Sequence, residues 1–215
     1  MKLGIFDSGI GGEAVAASLK TAFPEADFML ADDRAHLPYG DRSAEDITQL
    51  TDAAIQPLLE GNCDIIVIAC NSATAAAIET LRERYPTQTF IGLEPMIKPA
   101  AELTKTGVIA VCATPATLAS ERYHRLKANH AENLTVIEPD CSSWARMIEE
   151  NDLNEDNIEQ TIESVIAQKA DVIVLACTHY HWIREVIEEV AADRAEVLVP
   201  SDAIARRVSS ILNKE

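Results

Sequence analysis

Basic residues are scarce in this sequence of 215 residues. Lys and Arg number 18 against 35 Asp and Glu, so the net charge is −17. A nucleic-acid-binding protein needs a basic face for the phosphates, and the one adjacent basic pair, Arg206-Arg207, is typical of a solvated helix surface. We therefore expect no nucleic-acid partner and no attraction to an anionic membrane.

Long apolar runs and closely spaced cysteines are also missing. No stretch reaches about 18 consecutive apolar residues, so no transmembrane helix is predicted, and residues 2–6 resemble a strand rather than a signal peptide. No C-x-x-C pair or His/Asp/Glu cluster has metal-ligand spacing, which argues against a disulfide framework and a metal site. We expect a cytoplasmic protein with free thiols. The five cysteines are Cys63, Cys70, Cys112, Cys141 and Cys177.

Short apolar runs alternate with longer amphipathic segments along the chain. In the segment 155–168, Ile158, Ile162 and Val165 recur at the spacing of one helix face. This alternation predicts an α/β fold of mainly parallel sheets flanked by helices. The predicted strands are 2–6, 27–31, 64–69, 89–93, 107–112, 134–138, 171–176 and 196–199. The predicted helices are 11–23, 43–60, 73–85, 95–104, 115–129, 142–150, 155–168, 181–193 and 201–213.

Two stretches of the chain, Asp64–Asn71 and Asp171–Thr178, match almost position by position. Each contains a continuously apolar run, typical of a strand buried on both faces. The repeat predicts two similar lobes related by pseudo-twofold symmetry, with an active site between them. We predict that the first lobe spans 1–94, that the second spans 95–196, and that the C-terminal segment 197–215 returns to the first lobe.

Cys70 and Cys177 end the two repeated strands. Ligands of parallel sheets bind beyond the carboxyl ends of the strands, and a helix start at each thiol would lower its pKa. Two thiols facing each other across a cleft suit inversion of a carbon with an acidic C–H, because one takes a proton from one face while the other donates to the opposite face. The alternative is two core cysteines. Their matched positions, each followed by polar residues, favour catalysis.

Polar residues elsewhere extend this candidate site. Asp7 closes the first strand and opens the turn Asp7-Ser8-Gly9-Ile10-Gly11-Gly12, whose amides can approach an anion at a helix N-terminus. Asp7 either assists Cys70 or caps the following helix. Pro38-Tyr39-Gly40 either supplies donors to a substrate carboxylate or forms an ordinary turn. His179 is a candidate proton partner for the Cys177 thiol.

Taken in series, these motifs resemble the glutamate racemase family. The resemblance implies two α/β lobes and interconversion of L- and D-glutamate without pyridoxal phosphate or another cofactor. It further implies a supply of D-glutamate for peptidoglycan and the cell wall, a small acidic amino-acid substrate, and a homodimer. The matching motifs are Phe6-Asp7-Ser8-Gly9-Ile10-Gly11-Gly12, Pro38-Tyr39-Gly40, Ala69-Cys70-Asn71, Ala113-Thr114-Pro115-Ala116-Thr117, Ser120-Glu121-Arg122-Tyr123 and Cys177-Thr178-His179-Tyr180.

The same resemblance implies roles for individual residues. It makes Cys70 a catalytic thiol assisted by Asp7, and Cys177 a catalytic thiol assisted by His179. Glu149 matches a family carboxylate near the second thiol. The implied substrate contacts are Ser8, Tyr39, Gly40, Asn71, Ser72, Thr114, Thr117, Glu149 and Thr178.

The chain also departs from the family pattern. Ser72 replaces a usual Thr but keeps the hydroxyl, Ala176 and His181 replace a Gly and a Pro, and the segment between Glu149 and Asp171 is shorter. Three alternatives stay open: racemisation of aspartate or another acidic amino acid, isomerisation or decarboxylation of small diacids, and a non-catalytic binding protein on the same fold. Two intact thiols favour proton transfer on both faces.

Overall fold

Two four-stranded parallel sheets form the framework of the protein, which confirms the predicted fold class. The structure is a computed structural model, and it describes residues 1–212 apart from the side chain of Asp202. The ends of two predicted segments, 201–213 and 197–215, therefore lie outside the described residues. All eight predicted strands are present, each within two residues of its predicted bounds.

The first sheet has the strand order β2-β1-β3-β4. All four residues of β3 are buried, as expected for a strand covered by helices on both sides. β1 pairs with β3 in parallel, so that Phe6 lies beside Ile68 and the two strands end at the same edge. The strands are β1 (Lys2–Asp7), β2 (Asp27–Asp32), β3 (Ile65–Ile68) and β4 (Thr89–Gly92). The helices that follow them are α1 (Gly12–Ala22), α2 (Ala44–Ala54), α3 (Gln56–Glu60), α4 (Asn71–Arg84) and α5 (Ile97–Leu103).

The second sheet repeats this order as β6-β5-β7-β8. β7 is fully buried, like β3, and pairs in parallel with β5. Cys70 and Cys177 thus follow equivalent central strands of the two sheets. The strands are β5 (Val108–Cys112), β6 (Thr135–Ile137), β7 (Val172–Leu175) and β8 (Glu196–Leu198). The helices are α6 (Pro115–Leu118), α7 (Glu121–His130), α8 (Trp144–Glu149), α9 (Glu155–Ala167), α10 (Arg184–Ala191) and α11 (Ser201–Leu212).

Two predicted helices are each split in the structure. The segment 43–60 divides into α2 and α3 around Ile55, close to Pro57. Proline lacks an N–H and its ring clashes with the carbonyl four residues earlier, so a continuous helix cannot pass through it. The segment 115–129 divides into α6 and α7 because the Ser120 hydroxyl accepts a hydrogen bond from the Tyr123 N–H and starts a new helix.

A third predicted helix, 181–193, begins later than expected. The residues Thr178–Ile183 form a 3₁₀ helix, and α10 starts only at Arg184. The tighter turn holds His179 and Tyr180 buried directly after β7. None of the helices in residues 1–212 combines the length and the apolar character needed to cross a bilayer.

The C-terminal helix α11 packs on elements of the first sheet. Ile204 and Val208 are buried in one apolar cluster with Leu3, Val15 and Leu19. The chain therefore crosses between the two sheets twice, once before β5 and once after β8.

Val208→Ala tests the contribution of α11. The Val208 side chain is fully buried, and removing two methyl groups from a packed core costs about 1–3 kcal/mol of unfolding free energy. Ser209→Ala, one position along the same helix, should change it by less than about 0.5 kcal/mol. Urea unfolding followed by circular dichroism measures both. Equal effects of the two substitutions would show that α11 does not stabilise the fold.

Candidate active site between the lobes

A cavity of about 240 Å³ lies where the carboxyl ends of the two sheets meet. Both thiols, Cys70 and Cys177, line it. The sequence predicts that both lobes contribute residues to one site, and residues from both lobes line the wall of this cavity. The predicted site residues that line the cavity are Ser8, Tyr39, Gly40, Cys70, Asn71, Ser72, Thr114, Glu149, Cys177 and His179. The remaining three, Asp7, Thr117 and Thr178, do not line it; Thr117 bonds to the lining residue Thr114, and Asp7 and Thr178 bond to each other.

Cys70 is the N-cap of α4. Its sulfur accepts a hydrogen bond from the Ala73 N–H at 3.4 Å and another from the Ser8 hydroxyl at 3.3 Å. The side chain is 6% exposed. The thiol therefore points into the cavity from a fixed position, with two donors that stabilise the thiolate form.

Cys177 stands at the start of the 3₁₀ helix, on the side of the second sheet. Its sulfur lies 3.9 Å from His179 Nδ1, and the opposite ring nitrogen, Nε2, lies 2.5 Å from Glu149 Oε1. Glu149 Oε1 also accepts the Ile10 N–H at 2.8 Å. A carboxylate, an imidazole and a thiol thus follow one another toward the cavity, an order in which the carboxylate fixes the orientation of the ring beside the thiol.

The electrostatics of the two thiols differ from the expectation at helix starts. Burial raises the pKa of Cys70 to about 11, and the nearby Asp7 carboxylate adds to the rise. Its hydrogen bonds from Ser8 and Ala73 lower the pKa by less. Burial also raises the pKa of Cys177, and the charge of Cys70 raises it further. Desolvation raises the pKa of each thiol by more than the nearby helix start lowers it. The predicted lowering of the thiol pKa values is therefore wrong.

Asp7 joins the two lobes behind the cavity. One carboxylate oxygen accepts the Gly9 N–H at 2.9 Å, and the other accepts the Thr178 hydroxyl at 2.8 Å. The N-cap of α1 is Gly11, without a side-chain cap bond, so the alternative in which Asp7 caps that helix is wrong. Burial raises the pKa of Asp7, and His179 acts in the opposite direction.

A chain of hydroxyls forms a second link between the lobes. Ser72 Oγ and Thr114 Oγ1 lie 2.9 Å apart, and the Thr114 hydroxyl donates to Thr117 Oγ1 at 3.1 Å. Thr114 is the N-cap of α6 and accepts the Thr117 N–H. Thr117 is fully buried. It therefore fixes the orientation of Thr114, which lines the cavity together with Ser72.

Two glycines allow the lobes to approach this closely. A Cβ atom on Gly40 would lie 2.8 Å from Thr114 Cβ, and one on Gly9 would lie 2.8 Å from His179 Nε2. Both distances are shorter than van der Waals contact, so a side chain at either position would clash with the other lobe. Beside Gly40, Tyr39 is buried and donates its hydroxyl to Asp33 at 2.7 Å. The Tyr39-Gly40 segment is thus a rigid wall of the cavity.

Asn71 is the least satisfied polar side chain in the cavity wall. It is 3% exposed, and neither its amide nitrogen nor its amide oxygen bonds to any other group within residues 1–212. A buried amide without a partner is costly. An arrangement of this kind suits a ligand that supplies both an acceptor and a donor, as an amino acid does.

Several residues of the cavity were missed by the sequence reasoning. The signal that could have found some of them is helical spacing: Ser142, Ala145 and Arg146 precede Glu149 by seven, four and three residues, which places them on one face. Leu37 and Asp41 flank the segment Pro38-Tyr39-Gly40, and Glu150 directly follows Glu149. The residues missed are Leu37, Asp41, Ser142, Ala145, Arg146 and Glu150.

The cavity combines two buried thiols with neutral donors. The side chains of Ser8, Asn71, Ser72 and Thr114 supply hydroxyl or amide groups. Within the described part of the chain, no group of three or more His, Cys, Asp and Glu side chains is placed to hold a metal ion. The chemistry available from these residues is proton transfer by sulfur on a small polar molecule.

Comparison with known proteins agrees with this geometry. Residues 13–208 match the family model described as Asp/Glu/Hydantoin racemase. The glutamate racemase of Herpetosiphon aurantiacus is 38% identical over 214 residues, which cover 98% of this chain and 84% of that protein.

Two solved structures are similar over nearly the whole chain. Glutamate racemase of Escherichia coli, in complex with L-glutamate and the activator UDP-MurNAc-Ala, superposes with a TM-score of 0.90 at 28% identity, covering 100% of this chain and 83% of that one. Glutamate racemase of Francisella tularensis, in complex with D-glutamate, gives a TM-score of 0.82 at 27% identity, with 99% and 81% covered. The chain therefore belongs to the aspartate/glutamate racemase family, within the group of glutamate racemases.

Proposed function

We propose that this protein interconverts L- and D-glutamate by proton transfer between the substrate α-carbon and two opposed thiols. The observation that carries the proposal is the placement of Cys70 and Cys177, from equivalent strands of the two sheets, on one cavity. The relatives that match this chain over most of their length are named glutamate racemases. The reaction is an isomerisation that needs no pyridoxal phosphate.

The proton transfer uses one thiol as base and the other as acid. The base, as thiolate, takes the α-proton and forms an S–H bond, while the electron pair of the C–H bond stays on the α-carbon and its carboxylate. The acid then gives its own S–H proton to the opposite face and becomes the thiolate. A turnover in the reverse direction uses the two thiols in exchanged roles. Before another turnover in the same direction, the base releases its proton to solvent and the acid takes one up.

Because both thiol pKa values lie above neutrality, each thiol needs a partner that accepts its proton. We assign this task to Asp7 for Cys70 and to His179 for Cys177. Burial raises the pKa of Asp7 toward that of its thiol. Glu149 Oε1, 2.5 Å from the His179 ring, stabilises the imidazolium that forms when His179 takes the proton.

The substrate carboxylates and amino group need donors and acceptors in the wall. We assign direct contacts to Ser8, Gly40, Asn71, Ser72 and Thr114, which line the cavity with hydroxyl, amide or backbone groups. Thr117 positions the Thr114 hydroxyl. The hydroxyls of Tyr39 and Thr178 already bond to Asp33 and Asp7, so we assign neither of them a direct contact with the substrate. Neutral donors aimed at the α-carboxylate stabilise the carbanion-like transition state.

The ligand class is a small acidic amino acid, and our proposal narrows it to glutamate rather than aspartate. We also propose a cytoplasmic homodimer that supplies D-glutamate for peptidoglycan. Free thiols are typical of a reducing compartment.

We propose the same domain division as the sequence predicts. The first lobe spans 1–94 and the second spans 95–196. The segment from 197 onward belongs to the first lobe, and the packing of α11 supports this division.

Cys70→Ser and Cys177→Ser are each expected to reduce racemisation by at least about 10³-fold, because a hydroxyl is a far weaker acid than a thiol and its conjugate base does not form at neutral pH. The change in ellipticity of L-glutamate solutions measures the rate. Cys63→Ser is the control, since Cys63 is buried but lies outside the cavity. Near-normal turnover in either of the first two variants would refute the two-thiol assignment.

Asp7→Asn is expected to lower the pKa of the Cys70 thiol. The charge of Asp7 raises that pKa above its ordinary value, so removing it makes the thiolate easier to form. The pH at which iodoacetamide labels Cys70 at half its maximal rate, followed by peptide mass spectrometry, should therefore be lower in Asp7→Asn than in the wild-type protein.

The same variant should racemise more slowly, because an amide cannot accept the thiol proton. Asp27→Asn, at the amino end of β2 on the far side of the sheet, is the control and should leave the labelling profile unchanged. An unchanged profile in Asp7→Asn would contradict the proposed coupling of Asp7 to Cys70.

A further inference from the structure

Arg146 is the residue of the cavity to which neither the sequence motifs nor the mechanism gives a role. It lies on α8, one turn before Glu149, and its side chain is exposed at the cavity mouth. Among the cavity-lining residues that the structure describes, it alone carries a lysine or arginine cation. The charged side chains around it are the carboxylates of Asp41, Glu149 and Glu150.

The position of Arg146 is fixed by the packing of its helix. Trp144 and Ile148 bury the opposite face of α8 in the core. The Trp144 indole donates to Asn157 at 3.0 Å and packs edge-on against Tyr180, with 5.2 Å between ring centres. The backbone of Arg146 is therefore held at the mouth.

The guanidinium of Arg146 has no partner within residues 1–212. Glu149 and Glu150 are three and four residues further along the helix, a spacing at which ion pairs form, yet neither pairs with it. Glu149 instead bonds to Ile10 and His179. Arg34, which is also exposed, pairs with two carboxylates, whereas Arg125 on α7 is exposed and has no ion pair within residues 1–212.

A cation in this cavity would favour the binding of an acidic amino acid. Its two carboxylates and one ammonium group give a net charge of −1, and it approaches a protein with a net charge of −17. The donors deeper in the wall, such as Asn71 and Thr114, are neutral. One fixed cation at the mouth offsets this repulsion and selects an anionic side chain.

The depth of the thiols indicates which carboxylate reaches Arg146. The α-carbon must lie between Cys70 and Cys177, which are 6% and 8% exposed, and the α-carboxylate, one bond away, shares that depth. The side-chain carboxylate of glutamate is separated from the α-carbon by two methylene groups. We infer that Arg146 binds the side-chain carboxylate of the substrate at the cavity mouth and is a specificity-determining residue; this inference rests on the proposed function.

Two substitutions distinguish the effect of the positive charge of Arg146 from the effect of its side-chain shape: Arg146→Gln removes the charge, and Arg146→Lys keeps it. In Arg146→Gln the KM for L-glutamate should rise about five- to tenfold, with kcat changed less than about twofold, as expected for loss of a charge-assisted hydrogen bond at a solvated position. The Lys variant should recover most of the loss. The wild-type KM should also rise with ionic strength, and that of the Gln variant should rise less.

Arg125→Gln is the matched control. Arg125 is exposed on α7 and lies outside the cavity, and its substitution changes the net charge by the same amount. An unchanged KM in Arg146→Gln, an equal rise in Arg125→Gln, or a fall in kcat alone would overturn the inference and leave the proposed function standing. A wild-type protein that does not racemise glutamate would overturn both.

Discussion

The close approach of the two lobes at the carboxyl ends of their sheets is the constraint on which the site depends. Each thiol belongs to its own lobe, so only the relative position of the lobes decides whether both sulfurs reach one cavity. Several polar links cross this boundary, among them the Thr178 hydroxyl to the Asp7 carboxylate and the Ser72 hydroxyl to Thr114. These two links are buried, and a buried hydrogen bond broken on one side leaves an unsatisfied group that costs about 1–3 kcal/mol.

The same burial determines the electrostatics of the site. Desolvation raises the pKa of both thiols and of Asp7. A protonated thiol is a competent acid, and a partner that accepts its proton makes it a competent base. The proposed proton partners differ on the two sides: the Asp7 carboxylate for Cys70, and for Cys177 the His179 imidazole, which lies 2.5 Å from Glu149. We infer that the two directions of the reaction therefore have different dependences on pH.

Much of this arrangement follows from sequence alone, because parallel strands and their carboxyl ends leave regular signals. The apolar runs before Cys70 and Cys177 predicted two central strands, and their repetition predicted two lobes. The division of two predicted helices at Pro57 and Ser120 was missed, because the amphipathic pattern continues across both residues although each interrupts the helix. The thiol pKa values could not be predicted, because burial depends on how both lobes pack. Arg146 was missed although its helical spacing from Glu149 could be seen in the sequence, because no motif marks it.

The central claim is that two different groups handle the proton on the two faces of the α-carbon. The most direct test follows L-glutamate with the wild-type protein in deuterium oxide at early times, with the isotopic content of each enantiomer measured separately. Two opposed thiols predict that D-glutamate carries deuterium at the α-carbon from the first turnovers while the remaining L-glutamate stays unlabelled. Product that retains the original proton, or early label in the remaining L-glutamate, would indicate a single base and contradict the account.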